Sequence, residues 1–480
     1  MLGFKKVISL FLSLIIGFFT YPISFFTSFD GNDFQIINGD FSANAVFFNS
    51  EIIPIQTEGD CVFKDNGTVC FSESLKIVFD SNLQEWFNYY GISYYSDAYV
   101  KGTVTYCSGI KEKSEDFFLE PSAVNGEFYS FVDDFLKNTK ADKLISIEFE
   151  PLDKKSVNFK INGIATFNRS VPKREIFIEN ENYKLGIDLL WGGALSYLED
   201  KNSDVEAVKV NDTVKVDSRA SKRYNSKVIN SNVNLINRFD TGRLIQQSYY
   251  GTVSGSYDPG IYMDTVWAYN PVQGGNQYND SSKIVDVRVD ECSVYIKCRP
   301  LDWAKEKEFI TPSYMEAKYE FVNNSVHAEC RFTDFSGYNN NESRSQEIPA
   351  FYCIEPLNNF VYYSGSEPWT DKELSKVNDL IFWPDAGYPT YNSSENWAAF
   401  IGEFNDSFGI GLYVPGETEF LTGVYDRGVT QTADPSTESP TSYIAVIKDF
   451  LLRSFEPYEY EFYITTGNTT EIRNNFNEIR

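Results

Sequence analysis

Alternation of apolar and polar positions runs along most of the chain. Ile145, Ile147 and Phe149 alternate with polar neighbours; Met315, Ala317, Tyr319 and Phe321 alternate with Glu316, Lys318 and Glu320; Tyr458, Tyr460, Phe462 and Ile464 alternate with Glu459, Glu461 and Tyr463. A period of two sends successive side chains to opposite faces. Each run therefore predicts a strand with one face in the core and one face wet. Helical periodicity is rare and clearest in the C-terminal NTTEIRNNFNEIR. There Asn468 is placed as a cap, Glu471 stands three residues on, and Ile472, Phe476 and Ile479 fall on one side. No repeat of fixed period is present, which argues against propellers and solenoids. The pattern predicts an all-β protein.

A polar, proline-bearing stretch, NRSVPKRE at 168 to 175, follows the strand-like NFKINGIATF and predicts a boundary. Residues 45–170 then have the size of a jelly-roll-like β-sandwich, and 175–480 that of a large two-layer β structure. Connections rich in Asn, Gly, Ser and Pro, as at 251–260 and 336–346, are where ligand loops sit. Residues 1–27 place Lys5 and Lys6 before an almost uninterrupted apolar run broken by Pro22, which predicts a secretory signal peptide. An uncleaved signal anchor is the competing reading, and the small-x-small pattern Ala43-Asn44-Ala45 lies well downstream. Either way the rest of the chain is expected to be extracellular, with a membrane met only through that segment.

Composition narrows the partners. The 480 residues carry 68 acids against 42 bases, a formal charge of −26, which repels phosphate backbones and argues against nucleic acid. Forty Phe, 32 Tyr and 7 Trp supply ample rings for a core and leave many for surfaces. The seven cysteines, Cys61, Cys70, Cys107, Cys292, Cys298, Cys330 and Cys353, show no metal-knuckle spacing. Cys61 and Cys70 flank the turn-forming Asn66-Gly67, which fits a local disulfide and equally two buried thiols. N-x-S/T sequons occur at Asn66, Asn168, Asn279, Asn392 and Asn468, among others. His327 is the sole histidine and reads as a half-exposed strand residue, so a three-histidine zinc site is impossible. No G-x-S-x-G, phosphate loop or G-x-G-x-x-G is present. No cofactor and no resident metal are expected, and calcium held by Asp and Asn side chains stays open.

The densest chemistry lies in FDTGRLIQQSYYG at 239–251 and YMDTVWAYNPVQGGN at 262–276. Tyr249, Tyr250, Trp267 and Tyr269 can stack on pyranose faces, while Arg243, Gln246, Gln247, Asn270 and Gln273 offer planar donors and acceptors suited to vicinal hydroxyls. Gly274-Gly275 allows close backbone approach. The competing reading is a polar network buried between two sheets. Glycosidic chemistry needs two carboxylates, and the candidates are Asp240, Asp264 and Glu347, the last in SRSQEIPAFY after a glycine- and asparagine-rich loop. Glu355 follows Glu347 at an even spacing, but Pro349 stands between them. Trp369 and Trp383 flank loop signals and fit core or groove equally, whereas Trp397 beside Ala398 and Ala399 reads as core.

The second part of the chain resembles the galactose-mutarotase-like supersandwich of aldose epimerases and of β-domains in carbohydrate-active enzymes. The resemblance is carried by GIDLLWGGALSYLED at 186–200 and by the succession NLINRFDTGR, YNPVQGG, QEIPAFY, ENWAAF and FGIGLYVPG. The five segments are also similar to a group of secreted, largely uncharacterised bacterial proteins found with carbohydrate metabolism. That resemblance implies a sugar ligand and brings no defined reaction. The His-and-Glu pair of aldose epimerases is not matched around His327.

The sequence thus predicts an extracellular protein acting on oligo- or polysaccharide, a glycoside hydrolase or related enzyme. Its candidate catalytic acids are Asp240, Asp264 and Glu347, and its candidate sugar contacts are Arg243, Gln246, Gln247, Tyr249, Tyr250, Trp267, Asn270 and Gln273. A non-catalytic glycan-binding protein and a structural cell-surface protein are the alternatives.

Overall fold

The structure is a computed structural model. It describes residues 42–48, 54–58, 61–64, 68–79, 86–133, 135–137, 139–169, 174–202, 233–253, 256–306, 309–381, 389–402, 408–426 and 434–480. The proposed signal segment 1–27, the Asn66-Gly67 turn and Trp383 lie outside the described residues. Among the described residues no helix is long and apolar enough to cross a membrane.

The chain divides into two compact units, one comprising residues up to Lys173 together with 284–290 and 334–337, the other the remainder. The division falls between Lys173 and Arg174, and the two short segments belong to the first unit although they lie far along the chain.

Two antiparallel sheets build the first unit. One runs in the order Cys61–Phe63, Val69–Phe71, Val157–Asn168, Tyr89–Ser96, Ser122–Phe131, with Ser42–Phe48 also paired to Val157–Asn168. The other runs Pro54–Glu58, Ser74–Val78, Lys143–Pro151, Val100–Ser108, Lys111–Leu119. Inward-facing rings from both sheets make the core: Phe117 stacks on Phe128 at 5.0 Å and Phe149 meets Phe159 at 4.7 Å. Gly102 lies against the Phe117 ring so closely that a Cβ would stand 2.0 Å from it, which is why the cross-strand partner of Phe117 has no side chain. Within this unit Asp286 is fully enclosed. It accepts from the Tyr89 hydroxyl at 2.5 Å, Arg169 at 3.1 Å and Arg288 at 2.9 Å. Burial pushes its carboxyl up, but the two guanidinium groups and the hydroxyl outweigh burial and hold it below the usual value.

The second unit is also built on two sheets. The first follows the order Glu175–Glu179, Tyr183–Asp188, Ala194–Asp200, Ile245–Ser248, Arg344–Ile354, Thr441–Phe450, Glu419–Tyr425, Thr390–Asn392, with Pro271–Val272 paired to Ile245–Ser248. The second contains Ser293–Arg299, Ser313–Val322, Ser325–Asp334, Tyr458–Gly467, Gly409–Tyr413, Trp397–Gly402, Leu357–Tyr362 and Ser375–Val377, in that order. Tyr249 stacks on Phe332 at 4.2 Å and so belongs to the core of this unit. The C-terminal helix, Thr469–Asn477, carries the expected capping box of Asn468 and Glu471, and Ile472 and Phe476 pack on Trp397, Ile401 and Tyr413.

The polar face of the second sheet differs from expectation. Glu316, Lys318, Arg331, Lys297 and His327 are all buried, although alternation placed this face in water. Opposite charges sit side by side across the strands. Arg331 donates to Glu316 at 3.0 Å and to Glu459 at 3.2 Å, and Lys297 lies 3.6 Å from Glu316. Such cross-strand pairing lets long charged side chains cover one another. His327 stands between Glu320 at 3.2 Å and Glu461 at 3.0 Å and stacks on Tyr463, so it is an ion-paired buried residue rather than a half-exposed one. All seven cysteines are free thiols, Cys61 and Cys70 included.

Candidate functional site

The strand Arg344–Ile354 lies at the middle of the first sheet of the second unit, between Ile245–Ser248 and Thr441–Phe450. Its register to Thr441–Phe450 pairs Tyr352 with Tyr443 and Ala350 with Ala445, then shifts by one residue so that Glu347 opposes Ile447. The same shift appears against Ile245–Ser248. Two residues, Ile348 and Pro349, thus occupy a space where one would continue the ladder, and Pro349 has no N–H to give it. In an unbroken strand Glu347 would share the face of Phe351. The bulge turns it onto the face of Tyr352 and Tyr443 instead.

There its carboxylate meets two phenols. The Tyr443 hydroxyl donates to Oε1 in a short bond and the Tyr250 hydroxyl donates to Oε2 at 3.1 Å. Glu347 is half-buried on this face. Burial raises its pKa above the usual carboxylate value, and the two phenolic hydrogen bonds offset only part of the rise.

Rings surround this acid. Tyr352 and Tyr443 pack at 4.4 Å, Tyr425 stands 6.3 Å from Tyr443, and Tyr250 meets Trp267 edge-on at 6.4 Å. Trp267 continues to Tyr262 at 5.1 Å and Tyr262 to Trp303 at 5.6 Å. Tyr250, Tyr262, Trp267, Trp303 and Tyr425 are all half-buried, which leaves ring surface for a ligand. Gly242 packs beneath Trp303, 2.6 Å from a would-be Cβ, and so seats the turn Asp240-Thr241-Gly242-Arg243 against this wall.

That turn supplies the charges. Asp240 fixes it by accepting from the Gly242 N–H at 2.9 Å. The Arg243 guanidinium carbon lies 5.3 Å from the Tyr352 ring centre and 5.0 Å from that of Tyr425, a cation held over two aromatic faces. Its Nε is enclosed without an acceptor, while its terminal nitrogens are not enclosed and engage no described residue. The hydroxyl of Tyr352 is in the same condition. Burial first, then Glu347 and Asp240, drive the Tyr352 pKa up and Arg243 opposes them, so both acids and the arginine act on one hydroxyl.

Five of the residues singled out in the sequence thus meet: Asp240, Arg243, Tyr250, Trp267 and Glu347. The others, Asp264 apart, are spent on the protein interior, Asn270 touching the group only by accepting from Trp267 Nε1 at 3.1 Å. Gln246 gives its amide to the Thr241 and Arg243 carbonyls and accepts from Gly274 N. Gln247 bonds the Glu316 carbonyl at 2.9 Å and the Tyr249 hydroxyl at 3.0 Å. Gln273 bonds the Gly192 carbonyl at 3.1 Å and the Gln247 N–H, and Asn270 bonds the Tyr249 carbonyl at 2.8 Å. All four, with Tyr249, are buried with their hydrogen-bonding capacity spent on the protein. They are the buried network that competed with the ligand reading. Asp264 sits at the exposed tip of the hairpin Gly260–Tyr262/Thr265–Trp267 at φ 59°, outside the ring of aromatic residues. Glu355 is buried in the turn beyond the strand.

Sequence reasoning missed Tyr352, Tyr425, Tyr443, Tyr262 and Trp303. Tyr352 follows Ala350 at the strand period, so once the bulge is known it falls on the Glu347 face; the others reach the site only through long-range pairing. One further acid stands just behind the wall. Asp302 is buried, accepts from the Tyr257 hydroxyl at 2.6 Å, and is pushed up to about 6 by burial, which these hydrogen bonds offset in part. Among the described residues no group of three or more His, Cys, Asp or Glu could hold a metal ion.

No family model matches the chain. No curated protein matches it either. Among solved structures, a putative aldose 1-epimerase from Escherichia coli K12 is 8% identical with a TM-score of 0.33, over 61% of this chain and 99% of that one. A galactose mutarotase related enzyme from Lactobacillus acidophilus is 12% identical with a TM-score of 0.30, over 62% and 98%. A glycosyl hydrolase family 38 protein from Enterococcus faecalis is 10% identical with a TM-score of 0.30; the match spans 90% of this chain but 44% of that one. At these scores the assignment of an all-β architecture rests on the sheets themselves.

Proposed function

We propose that the second unit is the glycan-processing part of an extracellular carbohydrate-active protein, a glycoside hydrolase or related enzyme. The observation that carries the reading is Glu347, turned by a bulge onto a face that carries half-buried rings, with its pKa raised by burial. A carboxyl of raised pKa set among aromatic rings is suited to give its proton to a glycosidic oxygen as the C–O bond breaks. Tyr250 and Tyr443 then hold the carboxylate that remains. Asp240, in the turn that also carries Arg243, is the second acid of this reading, as base toward water or as nucleophile. Tyr250, Trp267 and Trp303 supply stacking surface for pyranose rings. Export rests on the sequence of residues 1–27 alone.

The test uses the purified protein and a panel of glycans, with product release and retention both read. Glu347→Gln keeps the size of the side chain and removes the proton; release is expected to fall about 100-fold or more with retention kept. Release untouched by that change removes Glu347 as the acid. Retention without products from the wild type moves the protein to the glycan-binding class.

A further inference from the structure

We infer that the saccharide taken by this recess carries a carboxylate, a uronic acid residue, received by the terminal nitrogens of Arg243 together with the hydroxyl of Tyr352. The inference rests on the glycan reading above and narrows it. A guanidinium in a partly enclosed site is costly unless a counter-charge and hydrogen bonds meet it. Two buried arginines of the same unit have such partners: Arg331 has Glu316 and Glu459, and Arg473 has Glu395. Arg243 is arranged differently. It forms no ion pair with any described residue, and its planar fork is left beside an equally unengaged phenol. The rings of Tyr352 and Tyr425 face it and fix its plane without using its N–H groups. Asp240, two positions before Gly242, spends one carboxylate oxygen on the turn and is not within ion-pair distance of Arg243. The nearest acid on the floor, Glu347, is satisfied by two phenols. The planar guanidinium fork matches an anion with two coplanar oxygens, as a carboxylate has. The net charge of the whole chain does not forbid it, since fields beyond about 8 Å are screened at physiological ionic strength.

The experiment compares binding of one oligosaccharide in two forms: oligogalacturonate as the free acid and the same chain methyl-esterified, which differ in the charge of the carboxyl and by one methyl group. Neutral oligogalactose and a sulfated galactan complete the set. Wild type is expected to hold the free acid about tenfold or more tighter than the ester, the size of one charge-assisted contact. Arg243→Gln should bring the two forms within about twofold, and Tyr352→Phe, which keeps the ring beneath the guanidinium, should lower the preference several-fold. Equal affinity for acid and ester in the wild type, or a preference that survives Arg243→Gln, overturns the inference while leaving a neutral-glycan enzyme standing. Tighter binding of the sulfated chain than of the uronate replaces the carboxylate by a sulfate ester and equally overturns it. Absence of binding to every saccharide removes the glycan reading and this inference together.

Discussion

In the proposed reading a single carboxyl, that of Glu347, decides the chemistry. Glu347 is raised by burial and lowered again, in part, by Tyr443 and Tyr250. If it donates a proton, activity should fall as pH rises through its raised pKa, because the ionised form cannot protonate a leaving oxygen. Removing a hydrogen bond that favours the carboxylate pushes the pKa higher still. Tyr443→Phe is therefore expected to move the alkaline limb of the pH–rate profile upward; a limb that stays in place or moves down contradicts the role given to Glu347. The buried glutamines answer differently. Gln247→Leu removes a hydrogen bond to the Glu316 carbonyl and leaves the buried Tyr249 hydroxyl without its acceptor, a loss of about 1–3 kcal/mol, read by chemical denaturation. Saccharide affinity should change little. In the sequence the density of polar and aromatic groups between 239 and 276 is plain. Which of them faces outward is not, because that depends on strands far along the chain.

At the scale of elements, the bulge in Arg344–Ile354 matters most. Alternation through SRSQEIPAFY places Glu347 on the wrong face, and only pairing with both neighbouring strands reveals the extra residue. Pro349 is the one local hint, since it breaks a central ladder. The C-terminal helix was legible in full, because its cap and apolar side are local signals. The charged face of the second sheet was not, since its charges are buried by one another. His327 makes a test of that face. Burial pushes its pKa down, but hydrogen bonds to Glu320 and Glu461 outweigh burial and raise it to about 9. A histidine raised in the folded state adds stability that is complete below its unfolded value of about 6.5 and disappears as pH rises through about 9. His327→Gln should thus cost about 1–2 kcal/mol at pH 6, discounted because Glu461 is 44% exposed, and almost nothing near pH 10. A penalty independent of pH would assign His327 to packing alone.

Across the whole molecule the all-β class follows from alternation repeated in every region, a signal that needs no long-range information. The division of the chain does not. Residues 284–290 and 334–337 belong to the first unit, where Asp286 binds Tyr89 and Arg169 and Phe335 stacks on Phe118 at 5.0 Å. No local composition marks such returns. A fragment starting at Arg174 would carry both segments without these partners, leaving Asp286 with Arg288 alone among its charge partners. It is expected to unfold several degrees lower than the same region in the full chain, measured by calorimetry; equal midpoints would show that the returning segments add nothing to stability.

The central claim is that one recess, floored by Glu347 and walled by Tyr250, Trp267, Tyr352 and Arg243, receives a saccharide. A crystal structure of the Glu347→Gln protein soaked with an oligosaccharide that the wild type retains tests it most directly. The account predicts a sugar ring stacked on that wall, with a glycosidic oxygen within hydrogen-bond distance of residue 347. A saccharide seated on any other surface, with the recess empty, would contradict it.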